Sequence, residues 1–134
     1  MNLQLLRAYL AYRLKAKHRH GHGIHSPFMY ELVRSVLFAK KEKHEASSRQ
    51  GRTAARLSAF CAKHRLTPME VRETNDLHTY AKGCIALLEY PHKNAELWQR
   101  LAEHTHTTVT ANCRAFGMAL AVPHLHKQQY TIAL

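Results

Sequence analysis

The chain holds few of the residues that constrain a fold locally. Its 134 residues include 3 cysteines, 5 glycines, 4 prolines and 1 tryptophan. Cys61, Cys84 and Cys113 are odd in number and far apart, with no C-x-x-C. That excludes a disulfide framework and predicts reduced thiols in a reducing cytoplasm. Cys84 and Cys113 sit in apolar runs, where a buried free thiol is the ordinary state. No apolar run approaches the roughly 20 residues of a membrane-spanning helix. The N-terminal leucines are interrupted by Arg7 and Tyr9 and lead to no small-residue cleavage site, so no signal peptide is expected. Internal repeats, heptad arrays and long low-complexity tracts are also missing. Acidic residues are scarce, 9 against 20 lysines and arginines, for a formal net charge of +11 with histidines neutral. The 12 histidines add charge below about pH 6.5. This balance is either a solvated basic surface or the mark of an anionic partner such as RNA, DNA or anionic lipid.

What is present reads as one globular domain. Hydrophobic residues make up 46% and charged residues 22%, ordinary values for a soluble globular protein. The chain is organised around residues 18–33, HRHGHGIHSPFMYELV. Gly21 and Gly23 break a first helix, because glycine accepts backbone angles other residues avoid. Ser26 then caps a second helix and Pro27 takes its first position, where a missing N–H costs nothing. Phe28, Leu32, Val33, Val36 and Leu37 follow as an apolar stripe at helical spacing. Upstream, residues 2–19 form an amphipathic helix with Leu3, Leu6, Leu10 and Leu14 on one side.

The second helix is predicted to end near Lys40. Residues 40–52, KKEKHEASSRQGR, are polar and predict a loop. Arg52–His64 predicts a third helix, with Ala54, Leu57, Phe60 and Cys61 on one face. Thr67-Pro68-Met69-Glu70 matches a capping box with proline at the first helical position, and predicts a short helix to about Thr74. Residues 83–91 form a short apolar run ended by Pro91, read as a buried strand of a parallel sheet. Asn94 is expected to cap a helix over Ala95–His104, with Leu97, Trp98 and Leu101 inward. Strands are predicted at Thr107–Cys113, Phe116–Val122 and Tyr130–Leu134. The expectation is a mixed α/β fold: an N-terminal helical hairpin over 1–40, a polar linker over 41–52, and an α/β part over 53–134. Its mixed sheet would hold three to four strands.

Two stretches carry a family resemblance. HGIHSPFMYELV at 22–33, preceded by the basic helix, resembles the N-terminal segment of a group of class I S-adenosylmethionine-dependent methyltransferases, mainly from Bacteroidetes. CIALLEY, NAELWQRLAEH, TTVTANC, AFGMALAV and QQYTIAL, in that order, resemble the last part of the same group. The resemblance implies a truncated class I methyltransferase-like fold, ending in the last strands of that sheet, one of them antiparallel. It also implies a glycine-rich turn where backbone approaches the adenosylmethionine, and an acidic residue on the ribose, as in dinucleotide folds. Here the chain departs from the family. No glycine occurs between Gly51 and Gly83. Glu73, Thr74, Asn75 and Asp76 stand in a degenerate version of that cofactor region. No cofactor is therefore expected, with S-adenosylmethionine as the cofactor if family activity is retained.

The candidate site residues follow. Glu89 and His92 close the strand at its carboxyl end, where open sheets place functional groups, and are the catalytic candidates. Arg7, Arg13, Lys15, Lys17 and Arg19 form a candidate anion- or nucleic-acid-binding patch. Few aromatics interleave these cations, so base stacking is not the expected mode. His18, His20, His22 and His25 offer imidazoles to a metal, although their spacing is too dense for standard zinc motifs. His25-Ser26 is explained better by capping than by a nucleophile, and His124 and His126 are expected in solvent. Three functions remain open: a methyltransferase-like protein without an intact cofactor site, a small basic nucleic-acid-binding protein, and a methyltransferase completed by a second copy.

Overall fold

The computed structural model describes residues 26–132. The 2–19 helix, the glycine hinge, the Arg7–Arg19 cationic patch and the four histidines from His18 to His25 lie outside the described residues. The helix beginning at Pro27 is α1 (Pro27–Leu32), extended by one wider π-helical turn over Val33–Leu37. Ser26 caps it as expected, its Oγ accepting from the Met29 N–H at 3.3 Å. The Phe38 N–H closes the wide turn on the Val33 carbonyl at 3.1 Å. The helix therefore stops before Lys40.

Helix α2 spans Arg49–His64. It begins three residues before the expected Arg52, inside the polar segment. Ser48 is the reason: its Oγ accepts the Gly51 N–H at 3.1 Å. A Cβ on Gly51 would lie 2.8 Å from that oxygen, so the glycine leaves room for the cap. Arg65 ends the helix in the left-handed region, φ 57°, a place usually given to glycine.

The largest correction follows. Thr67-Pro68-Met69-Glu70 is not a helix but strand β1 (Thr67–Glu70). It pairs in parallel with β2 (Cys84–Glu89), Thr67 opposite Cys84 and Glu70 opposite Leu87. The Thr67 and Val71 N–H groups donate to the Gly83 and Leu87 carbonyls of the β2 side, at 2.8 and 2.9 Å. The alternation turns the Pro68 nitrogen outward, where its missing donor costs nothing. A capping pattern can be read in one dimension, but a neighbouring strand in register supplies more hydrogen bonds.

A 3₁₀ turn over Thr74–His78 links β1 to β2. After β2 come helix α3 (Ala95–Ala102), β3 (Val109–Asn112), β4 (Phe116–Leu120) and β5 (Gln128–Thr131). The order across the sheet is β1-β2-β4-β3-β5. β4 runs antiparallel to both neighbours, and β5 is parallel to β3. The sheet thus has five strands among the described residues, not three or four. The fold is mixed α/β as expected, and β1 is the strand that was missed.

Side chains alternate across the sheet and build two cores. On one face Ile85, Leu87, Met118 and Leu120 meet Met29, Leu32 and Val36 of the first helix and Leu57, Phe60 and Cys61 of α2. On the other, Ala86, Leu88, Ala119 and Ala121 meet Leu101, with Leu97 and Trp98 packed alongside. The small alanines on this second face let α3 sit close. All three cysteines are free and buried. Among the described residues no helix is long and apolar enough to cross a membrane.

Candidate functional site at the carboxyl ends of β1 and β2

Parallel strands leave a crevice beyond their carboxyl ends, because the chain must leave each strand there in a different direction. Here that crevice is a cleft of about 270 Å³. Leu87, Leu88 and Phe116 form its apolar floor, and Glu70, Arg72, Glu89, Asn94 and Gln50 supply polar groups. Arg72 Nη2 pairs with Glu70 at 2.7 Å, with both side chains largely in water, so the pair adds little stability and stays available to a ligand.

Glu89 is brought into this cleft and is exposed. His92 is not among the lining residues; it lies on a short turn over Pro91–Lys93. Its Nδ1 is buried without a hydrogen-bond partner among the described residues. Burial above all, then the charges of Arg114 and Lys93, push its pKa below the usual imidazole value. Of the two catalytic candidates, Glu89 lines this cleft and His92 does not. Asn94 also departs from expectation. It stands at the start of α3 without a capping bond, and its Nδ2 donates back to the Glu89 carbonyl at 3.1 Å. That bond ties the end of β2 to α3.

The turn between these elements is strained. Tyr90 has φ 48°, a left-handed conformation that costs a tyrosine of order 1 kcal/mol. Three contacts hold it. Its N–H donates to the Ala115 carbonyl at 2.9 Å, its hydroxyl accepts from Gln50 Nε2 at 3.1 Å, and Lys93 Nζ stands 4.7 Å from its ring centroid.

The segment Glu73, Thr74, Asn75 and Asp76 lies beyond β1. Of the two acids there, Asp76 is engaged by backbone: its Oδ2 accepts the N–H groups of Arg72 at 2.8 Å and Glu73 at 3.1 Å. Those bonds, Arg72 first, hold its pKa below the usual carboxylate value. Val71 ahead of it is buried, and Arg72 and Glu73 are exposed. Thr74 lines a separate shallow depression with Lys93 and Asn94.

Gln50, Arg72 and Asn94 were not legible as site residues. Gln50 is in the polar segment read as loop, and only the Ser48 cap could have signalled that it opens a helix. His124 and His126 are exposed as expected, with His124 resting edge-on to Phe28 at 6.0 Å between centroids. Among the described residues no group of three or more His, Cys, Asp or Glu could hold a metal ion. No protein-family model, no curated protein and no solved structure matches the chain.

Proposed function

We propose that this chain is a methyltransferase-like protein without an intact cofactor site. The observation that carries the reading is the state of Asp76. Its Oδ2 is spent on the backbone of its own turn, and residues 71–82, directly after β1, hold no glycine to admit an adenosyl group. A single antiparallel strand, β4, set among parallel ones is what the resemblance of residues 84–134 calls for. Three free, buried thiols suit a reducing cytoplasm.

Calorimetry on the full chain with S-adenosylmethionine and S-adenosylhomocysteine tests this reading. The expected result is no isotherm for either. One site per chain would restore the enzyme. An isotherm only at high protein concentration would point to a methyltransferase completed by a second copy.

A second reading has its own support. The described residues 26–132 carry 15 lysines and arginines against all 9 acids of the chain, and the other 5 of the 20 cations precede them. The same chain is on this reading a small nucleic-acid-binding protein. Fluorescence anisotropy with a labelled duplex and a labelled single strand checks it. Weak, sequence-tolerant binding that falls steeply with salt is expected, because neutralised phosphates release counterions. Replacing Lys15, Lys17 and Arg19 together by glutamine should weaken it. Binding that ignores both salt and the triple change would remove the patch from consideration.

A further inference from the structure

A second cleft lies beside the first, on the other side of the opening turns of α2. Its volume is about 260 Å³. Four cations line it: Lys41 from the loop after the first helix, and Arg49, Arg52 and Arg56 from α2. No carboxylate is among its lining residues. Glu45 neutralises Arg56 through a two-pronged pair at 2.7 and 2.8 Å. Arg52 is pinned by donating Nη1 to the carbonyls of Ala46 and Ser47, at 3.2 and 2.6 Å; carbonyls orient a guanidinium without cancelling its charge. Lys41 and Arg49 make no ion pair with the described residues. Three uncompensated cations thus converge on one concavity. Its floor is apolar: Leu37, Phe38 and Phe116.

We propose that this cleft is a binding site for a small phosphomonoester carrying a flat, weakly polar ring, of the nucleoside monophosphate class. A terminal phosphate carries between one and a half and two negative charges near neutral pH, which suits three cations better than a single diester charge does. Arginine presents paired N–H donors that match phosphate oxygens. Half-buried Phe38 and Leu37, over buried Phe116, offer the ring an apolar surface that a bare phosphate would not use. The end of α2 is not the site in itself, since Ser48 already takes the Gly51 N–H; the side chains make it. Phe116 lines both clefts, but Lys41, Arg49, Arg52 and Arg56 line only this one, so the inference does not depend on whether the adenosylmethionine site is lost.

The test is a chemical-shift and calorimetric titration of the full chain with adenosine 5′-monophosphate, adenosine and inorganic phosphate. The monophosphate should bind at least about 10-fold more tightly than either part. Amide signals of Phe38, Thr53 and Phe116 should move. Changing Lys41 and Arg49 together to glutamine should weaken binding by about 10-fold or more. Both residues are exposed, so the fold should survive; should the double variant melt early, Lys41→Gln alone makes the same comparison. Adenosine or phosphate binding as tightly as the monophosphate would overturn the proposal. So would unchanged affinity in the variants, or shifts confined to another surface.

Discussion

The ring of Trp98 occupies the space where a side chain on Gly117 would stand. A Cβ built on that glycine lies 2.6 Å from Trp98 Cζ3 and 2.8 Å from Pro91 Cγ. Gly117 is in the middle of β4, opposite Leu88 and Asn112. It is there for close approach, not for an unusual backbone angle. The contact docks α3 and the Pro91 turn on the sheet next to the first cleft.

Gly117→Ala should therefore destabilise the fold by about 1–3 kcal/mol, the usual range for an overpacked core. Urea unfolding followed by far-ultraviolet circular dichroism reads this directly. A stability equal to the parent would mean that the indole moves aside at no cost. The same change with Trp98→Leu should recover part of the loss, because the two residues compete for one volume.

A buried polar chain ties the 3₁₀ turn to the far end of α3. The hydroxyls of Tyr80 and Thr107 are 2.7 Å apart, and Thr107 Oγ1 donates to the Leu101 carbonyl at 2.8 Å. Burial, the larger effect, pushes the Tyr80 phenol up to about 12 despite the Thr107 bond. Thr107→Val keeps the shape and removes the partner of the Tyr80 hydroxyl, while the Leu101 carbonyl keeps the His104 N–H at 3.2 Å. It should cost about 1–3 kcal/mol, and the double change with Tyr80→Phe should cost less than the sum of the single changes. Strict additivity in thermal melts would show that the hydroxyls do not depend on each other.

Acid should loosen the loop that walls the second cleft. Arg56, first of all, and then the Glu42 N–H lower the Glu45 pKa from 4.5 to about 2. A carboxylate with a depressed folded value adds stability above its unfolded pKa. That contribution is lost as pH falls from about 4.5 towards 2. Glu45→Gln should flatten this part of the stability curve relative to the parent, measured as urea midpoints at pH 5, 4 and 3. Parallel curves for the two proteins would show that the Glu45–Arg56 pair makes no net contribution. Glu31 and Asp76 are also lowered, so both chains should still lose stability in acid; the difference between them carries the result.

The start of the first helix was determined by sequence alone. Ser26 and Pro27 act on backbone within three residues of themselves, and no distant partner is needed. The same holds for the apolar runs that became β2 and β4, whose composition suits burial on both faces. Length and charge bounded the rest: one sheet, few acids, free thiols. Thr67-Pro68-Met69-Glu70 was different. Its local pattern fits a helix, and only β2 lying alongside in parallel register made it a strand. Glu89 could be placed at a strand end from the sequence, but which of Glu89 and His92 lines the cleft could not. The second cleft was hidden too, since Lys41 and Phe116 are far apart in the chain and meet only when α2 lies across the sheet. Local chemistry reaches a few residues along the chain. Which neighbour a strand pairs with, and which cations share a cavity, depend on contacts between segments that local chemistry does not specify.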